Sequence, residues 1–362
     1  MPVYSPEGIK TYLINIFWIT VVWTIISVSH FFSIFFTLLS IDCNLMGMKP
    51  HVFFIGSVIT GLLAGIVGGS FLVLAWEKWL RTIDYGKALF LIFLSYTLLY
   101  LFISFFTGSY FHSIRLEVGY FHPIVLQEVL ENLVNPETLH SYIRWLIIVV
   151  GTLIFFQIND KYGPGVFIDF LLGKYFQPKK EQRIFMFLDL KSSTTIAETL
   201  GEEKYFHFLK DVLNKVTPSI LSTKGRIYQY VGDEIVISWI PDQGRENVNC
   251  IRCFFAVKGT LKTADDYFMK TYGVIPEFKA GLHYGNVMVG EIGMVKRDIA
   301  YSGDVLNTTS RIQNKCNELG VEILFSQLLL EAIKIPPNTF SPRKIGDMFL
   351  KGKRKKVALY TV

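Results

Sequence analysis

Phe187-Leu188-Asp189-Leu190-Lys191-Ser192-Ser193-Thr194 is the stretch on which the fold of the C-terminal half turns. The residues leading into it, Ile184 to Leu188, are a continuous apolar run rather than an alternating one, the pattern of a central strand buried on both faces. The end of that strand delivers Asp189. Ser192, Ser193 and Thr194 then open a helical pattern running past Ala197 and Tyr205 to about Val216. Hydroxyls there can cap the helix, and free backbone N–H groups at its entry suit a phosphate.

A second aspartate follows 44 positions later, in Tyr230-Val231-Gly232-Asp233-Glu234. From Arg226 to Trp239 the residues are β-branched and aromatic, broken at Gly232-Asp233, so Asp233 is expected at the tip of a hairpin. Two carboxylates presented together can hold Mg²⁺ or Mn²⁺ against a triphosphate, which implies a nucleotide-processing enzyme. Further along, the pattern predicts a helix from about Asn247 to Tyr272 and strands around Glu277 to His283 and Asn286 to Glu291. A helix through Asn307 to Cys316, a strand at Val321 to Phe325 and a last hairpin around Phe349 to Tyr360 complete the series. Strands, helices and hairpins mixed in this way imply an α+β domain with an antiparallel component in its sheet.

The N-terminal half is of another kind. The chain has 362 residues, of which 51% are hydrophobic, with a mean hydropathy of +0.37; that excludes an ordinary soluble protein. The first 158 residues carry 7 Lys+Arg and 8 Asp+Glu, leaving 29 and 22 of the totals of 36 and 30 to the rest. Four apolar stretches, about 12–40, 52–76, 88–110 and 142–158, reach the roughly 20 residues of a membrane-crossing helix. The first is long enough to be one tilted helix or two short segments, with Ser27, Ser29 and His30 in its middle. The fourth is short.

Lys78, Arg81 and Lys87 mark the connection between spans two and three as cytoplasmic. The loop after span three, with Glu117, Glu128, Glu131 and Glu137 against Arg115, suits the outside, and an even span count puts both termini in the cytoplasm. No small-residue cleavage site follows the first apolar run, so the reading has no removable signal peptide. Cys43, Cys250, Cys253 and Cys316 are too few and scattered for a disulfide framework, and Cys250-Ile251-Arg252-Cys253 reads as two helix-borne cysteines without the second pair of a zinc site. Between the halves, Gly163-Pro164-Gly165 interrupts a helix, and Lys179-Lys180 fits an anionic membrane surface. The domain reading is residues 1–158 in the membrane, 159–182 as linker and 183–362 as the catalytic part.

Taken together, residues 183–362 resemble the catalytic domain of the class III nucleotidyl cyclases, the adenylate and guanylate cyclase family. The resemblance covers about half the chain and rests on several spaced motifs in order. It implies an N-terminal α-helical membrane domain followed by an α+β cyclase domain, a ferredoxin-like palm with a mixed sheet and helices. By it, Asp189 and Asp233 are the two metal-binding aspartates and the backbone of Leu190 completes one ion's shell, with two Mg²⁺ or Mn²⁺ per active site. Ser192, Ser193 and Thr194 lie at the phosphates. Gly303-Asp304-Val305-Leu306-Asn307-Thr308-Thr309-Ser310-Arg311 looks like the family's transition-state segment. Asn307 and Arg311, four apart on one helix face, then orient the ribose and neutralise charge on the α-phosphate. Lys351 matches the family lysine on the terminal phosphates; Lys279 falls where many members have an Arg, and supplies a point charge instead of a fork. Lys353 to Lys356 read as solvated surface charge.

In this family the aspartates come from one protomer and the Asn and Arg from its partner, so the resemblance implies a homodimer with two composite sites. The other partners implied are a nucleoside triphosphate and the lipid bilayer, with no nucleic acid; the location implied is the inner cell membrane, multi-pass, with a cytoplasmic catalytic domain. The base pocket departs from the family pattern, with Gln229 where adenylate cyclases place Lys and guanylate cyclases Glu, and Ala300 at the second reader. A Gln amide has a donor and an acceptor end and can face either purine. ATP is favoured as a family prior. Three other readings stay open here: a guanylate or relaxed-specificity cyclase, a degenerate nucleotide-binding receptor, and a membrane sensor or channel regulated by nucleotide. A diguanylate-type cyclase lacks its Gly-Gly-acidic-acidic-Phe loop in this sequence.

Overall fold

The computed structural model describes residues 6–40, 50–75, 83, 85–132, 135–163, 166–295, 297–336, 339–353 and 355–362. Lys78, Arg81, Cys43, Pro164 and Gly165, used above, lie outside them, as does the side chain of Glu137. The chain divides into two compact units, Pro2–Gln157 and Ile158–Val362.

The first unit is helical: α1 (Pro6–Ser40), α2 (Pro50–Leu63), a π-helix (Ala64–Gly69), α3 (Ser70–Ala75), α4 (Tyr85–Leu116), α5 (Pro123–Asn132) and α6 (Pro136–Tyr162). Among the described residues, four segments are long and apolar enough to cross a membrane: Tyr12–Ser40, Pro50–Ala75, Phe90–Leu116 and Thr138–Asn159. The first apolar stretch is one continuous helix. Two of its internal polar residues find partners within the bundle: Ser27 donates to the Ser57 carbonyl at 2.8 Å and His30 hydrogen-bonds Arg144 of α6. The fourth segment is longer than its apolar core because α6 continues through the polar residues on both sides.

The second unit opens with α7 (Val166–Leu171) and continues β1 (Lys179–Leu190), α8 (Ser193–Leu200), α9 (Glu202–Ser222), β2 (Arg226–Val231), β3 (Glu234–Trp239), α10 (Pro241–Arg245), α11 (Asn249–Lys262), α12 (Asp265–Tyr272) and β4 (Phe278–Ile292). β5 (Asp298–Ser302), α13 (Asp304–Leu319), β6 (Ile323–Ser326), α14 (Gln327–Ile333), β7 (Arg343–Met348) and β8 (Val357–Thr361) complete it. The sheet runs β2-β3-β1-β4-β6-β8-β7, with β5 on the far end of β4. All pairs are antiparallel except β4 with β6, so the α+β reading with a mixed sheet holds.

Period-2 geometry sorts β1. Ile184, Met186, Leu188 and Leu190 pack on one side with Phe208, Val212, Phe254 and Phe268 of α9, α11 and α12. Phe185 and Phe187 face the other side with Val236, Val287, Val289 and Val305, the side of α13. Asp189 belongs to that second set, so its carboxylate and α13 share a face. Tyr175, ahead of β1, is buried in the same cluster, and its hydroxyl accepts from Arg183 at 3.3 Å.

Several expected boundaries shift. The helix after Ser192 breaks at Gly201, whose φ of +74° is a left-handed conformation glycine adopts freely, and the helix expected from Asn247 to Tyr272 breaks after Lys262. The strands expected at Glu277 to His283 and Asn286 to Glu291 are one 15-residue strand, β4. The last hairpin begins earlier, pairing β7 with β8. β5 and α14 had no counterpart in the sequence reading.

Candidate active site

Asp189 is the penultimate residue of β1, paired in register with Lys279 of β4 on one side and Glu234 of β3 on the other. All three side chains therefore rise from one face. The Lys279 ammonium lies 3.2 Å from the Asp189 carboxylate, and Gln313 of α13 donates to the same oxygen at 2.9 Å. Asp233 occupies the turn between β2 and β3, beside Gly232 at φ +63°. The hairpin thus carries it to the end of β1, as expected.

The electrostatics show how closely these groups crowd. Burial pushes the Asp189 carboxyl above its ordinary range; the Lys279 hydrogen bond opposes that rise and the charge of Asp233 adds to it. Glu234 is pushed up to about 7, first by burial and then by Asp189 and Asp233. Like charges gathered in a partly buried cleft are the signature of a site built for a counter-ion or a substrate cation. Among the described residues no three His, Cys, Asp or Glu side chains form a ready metal cage. The donors offered are two carboxylates and the Leu190 backbone, which fits Mg²⁺, an ion that keeps waters and is held by one or two carboxylates plus substrate phosphates.

The second group of residues lies on α13. Asn307 is exposed and Arg311 half-buried, four apart and so on one face. Gln313, two residues past Arg311, is about 200° around the helix. Arg311 rests against the turn joining β7 to β8, 3.4 Å from where a Cβ on Gly352 would stand, and Lys351 is exposed in that turn. So Arg311, Asn307 and Lys351 gather on one side of α13 while Asp189 is held from the other. Gly281 lets α13 approach β4: a Cβ there would meet the Gln313 backbone nitrogen at 2.3 Å.

Lys279 is met on the Asp189 carboxylate, where the resemblance implied a phosphate contact. Ser192 stands at the start of α8 with φ +55°, and its hydroxyl makes no capping bond; what the α8 entry offers an anion is backbone N–H. Lys353 is not free surface charge, because it pairs with Asp304 at the start of α13. Gln229 is exposed on β2 and Ala300 half-buried on β5. Their neighbours tie the two strands together: the Tyr228 hydroxyl accepts from the Tyr301 amide at 3.3 Å, with rings 4.7 Å apart. Cys250 and Cys253 are buried on α11, their thiols pushed up to about 12 by burial, the condition of inert structural cysteines.

Sequence reasoning missed Glu234 and Gln313. Glu234 carries a signal, since the hairpin register sets it across from Asp189. Gln313 carries none without knowing that α13 crosses β4.

Close by, His283 of β4 is buried, 2.6 Å from the Ser326 hydroxyl, and burial, with Lys353, holds it down at about 4 against 6.5. The unfolded chain therefore binds a proton between those values that the native state does not, so stability is full above pH 6.5 and falls as pH drops toward 4. The loss is on the order of 3 kcal/mol. His283→Gln is expected to flatten that acid limb, read as the melting temperature of the full-length protein between pH 7 and pH 4.5; an unchanged slope would assign the acid sensitivity elsewhere.

A family model described as "Adenylate and Guanylate cyclase catalytic domain" matches residues 176–362. Adenylate cyclase 2 of Rhizobium meliloti (strain 1021) is 33% identical over 213 residues, 59% of this chain and 58% of that protein. An adenylate cyclase of Anabaena cylindrica is 28% identical over 182 residues, 49% of this chain and 36% of its own length. The chain thus spans little more than half of the first relative and about a third of the second. Among solved structures, a bacterial light-regulated adenylyl cyclase superposes with a TM-score of 0.52 at 19% identity, covering 63% of this chain and 66% of that one; it supports the fold. With the match extending over the whole sheet and both halves of the site, the chain belongs to the adenylate and guanylate cyclase catalytic domain family.

Proposed function

We propose that this protein is a membrane-anchored adenylate cyclase that converts ATP to 3′,5′-cyclic AMP and pyrophosphate as a homodimer with two composite sites. The convergence of Asp189 and Asp233 at adjoining strand ends carries this reading, since it builds a carboxylate pair suited to a metal-bound triphosphate. Bound there, two Mg²⁺ or Mn²⁺ ions would polarise the ribose 3′-hydroxyl and the triphosphate. In the reaction the 3′-oxygen forms a bond to the α-phosphorus, the bond to the β-phosphate oxygen breaks, and the 3′ proton leaves to solvent.

The chain's own groups then divide the work. Asp189, Asp233 and the Leu190 carbonyl would hold the ions, and the backbone around Ser192, Ser193 and Thr194 would receive phosphate oxygens. Asn307 orients the ribose; Arg311 faces the charge that grows on the α-phosphate, where a fixed cation counts most. Lys351 stands at the terminal phosphates, and Lys279 exchanges its grip on Asp189 for substrate charge. Gln229 and Ala300 flank the base.

The dimer is supported by the two sides of α13: Arg311 is turned away from the Asp189 of its own chain, so a partner has to supply one half of each site. Exposed apolar side chains at hairpin tips, Tyr230 and Val231 beside Asp233 and Met294 and Val295 between β4 and β5, fit an interface. The four apolar segments, with Lys87 at the second connection, support a multi-pass anchor in the inner cell membrane with residues 183–362 in the cytoplasm, residues 1–158 in the membrane and 159–182 as connector, the last four of which already run in β1. ATP is favoured because the relatives above are adenylate cyclases by name.

The test is turnover of the purified full-length protein with ATP and GTP in separate reactions under Mg²⁺ and then Mn²⁺, the cyclic product identified by mass. Preferred cyclic AMP formation is expected. Preferred cyclic GMP would overturn the substrate and leave the metal chemistry standing; no product from any nucleotide would turn the reading to a degenerate receptor.

A further inference from the structure

The helical unit contains a pocket that the cyclase chemistry does not use. Its walls carry aromatic side chains, Trp23 of α1, Phe71 of α3, Tyr96 and Tyr100 of α4 and Trp145 of α6, interleaved with an equal number of larger aliphatic ones. Trp23 and Trp145 meet edge to face at 5.8 Å. Ala64 and Gly68 of the π-helix, together with Ala75, leave the space open. Its enclosed space is about 50 Å³, a few times the roughly 10–15 Å³ that a single water needs.

Two observations say what belongs there. Four of the polar groups on the wall already have protein partners. Trp23 Nε1 donates to Thr152 Oγ1 at 3.2 Å and Thr60 Oγ1 to the Gly56 carbonyl at 2.8 Å. Tyr96 donates to the Tyr142 carbonyl at 2.9 Å and Tyr100 to the Thr138 carbonyl at 3.0 Å. An apolar cavity whose polar groups are mostly taken stays dry and takes apolar guests. The second observation is the π-helix itself, since such insertions interrupt regular helix at a cost and occur frequently at functional sites. Here it sits where the second apolar segment forms the wall. A Cβ on Gly65 would come within 2.4 Å of Thr20 Cα and one on Gly69 within 2.9 Å of Ile19, so the π-helix is pressed against α1 while Ala64 and Gly68 face the space.

We propose that this pocket is a binding site for an uncharged, largely hydrocarbon molecule with a flat ring system, one that partitions into lipid. The aromatic walls favour a ring over a flexible chain, because rings gain from edge and stacking contacts beyond their area. A charged or strongly polar ligand finds too few free partners to replace the hydration it loses. Such a site gives the chain a second input, separate from its nucleotide. The inference depends on the membrane reading only for the route by which the ligand arrives.

The experiment is thermal unfolding of the full-length protein in nanodiscs, titrated with naphthalene and, in parallel, with 1-naphthoate. Naphthalene is expected to raise the melting temperature saturably, by about 5 °C at roughly 100 times its Kd, and naphthoate is not. Ala64→Leu fills the space and is expected to abolish the shift while melting at or above the wild-type temperature. Should that variant fail to fold, Ala75→Leu fills the same pocket from α3. No saturable shift, the same shift in the filled variants, or an equal shift with naphthoate would each overturn the proposal. Cyclic nucleotide formation measured in the same samples keeps this outcome separate from the catalytic reading: active protein without a shift sinks only the pocket.

Discussion

Asp189→Asn is expected to lower cyclic nucleotide formation by a factor on the order of 10³ or more while the protein stays folded. The loss follows from removing one negative charge of two at the point where cations and a triphosphate must be held together. Asn is the informative replacement. Asp189 also accepts from Lys279 and Gln313, and Lys279 is only 8% exposed. Truncation to Ala would strand that buried ammonium, at a cost of about 3–5 kcal/mol, and inactivity would then be confounded with unfolding. The Asn amide is isosteric and keeps an oxygen for Lys279 and Gln313. Product formation by mass, read beside the melting temperature, decides the matter. A variant that keeps more than about a tenth of wild-type turnover would remove Asp189 from the metal-binding role.

Mixing Asp189→Asn protomers with Arg311→Ala protomers is the second result with a large expected effect. Each variant alone is inactive as a homodimer, because every site lacks one half of its groups. In an equal mixture half of the dimers are hybrids, and each hybrid has one site with both halves intact. Activity should therefore recover to about a quarter of the wild-type level. The geometry behind this is the placement of Gln313 on the Asp189 carboxylate and of Arg311 on the opposite side of the same helix. No recovery in a sample shown to contain hybrid dimers would mean that each chain completes its own site, and α13 would then have to be read differently.

Much of the fold and of the site was legible in the residues, for identifiable reasons. The run into Asp189 reads as a buried strand because its apolar residues serve two faces at once, one under α9, α11 and α12 and one under α13. The hairpin at Asp233 is legible because Gly232 supplies a left-handed turn. β4 was harder: Tyr284-Gly285-Asn286 looks like a break, yet the strand runs through it, and Gly285 is small because Val305 packs above it, 3.3 Å from where a Cβ would stand. A glycine marking close approach and a glycine marking a turn are the same letter. The short strand β5 was missed because its residues, Asp298 to Ser302, carry no clear period, and its existence depends on pairing with the end of β4. The ion pair of Lys353 with Asp304 and the hydrogen bond of Gln313 to Asp189 are tertiary facts, since they join residues 49 and 124 positions apart. Polar residues in the first apolar stretch left one tilted helix and two short segments both open, because the partners of Ser27 on α2 and His30 on α6 are invisible in a linear reading.

The placement of α13 has one more consequence. In the proposed dimer, one edge of this 16-residue helix bears on the acidic half of one reaction centre, and its opposite edge supplies the cationic half of the other. A stiff rod of that kind acts as a gear between the two centres. Seating a nucleotide against Arg311 in one centre would pull on the rod that carries Gln313 in the next, so the two turnovers in the proposed dimer are expected to be coupled, read as a dependence of rate on ATP concentration with a Hill coefficient different from one.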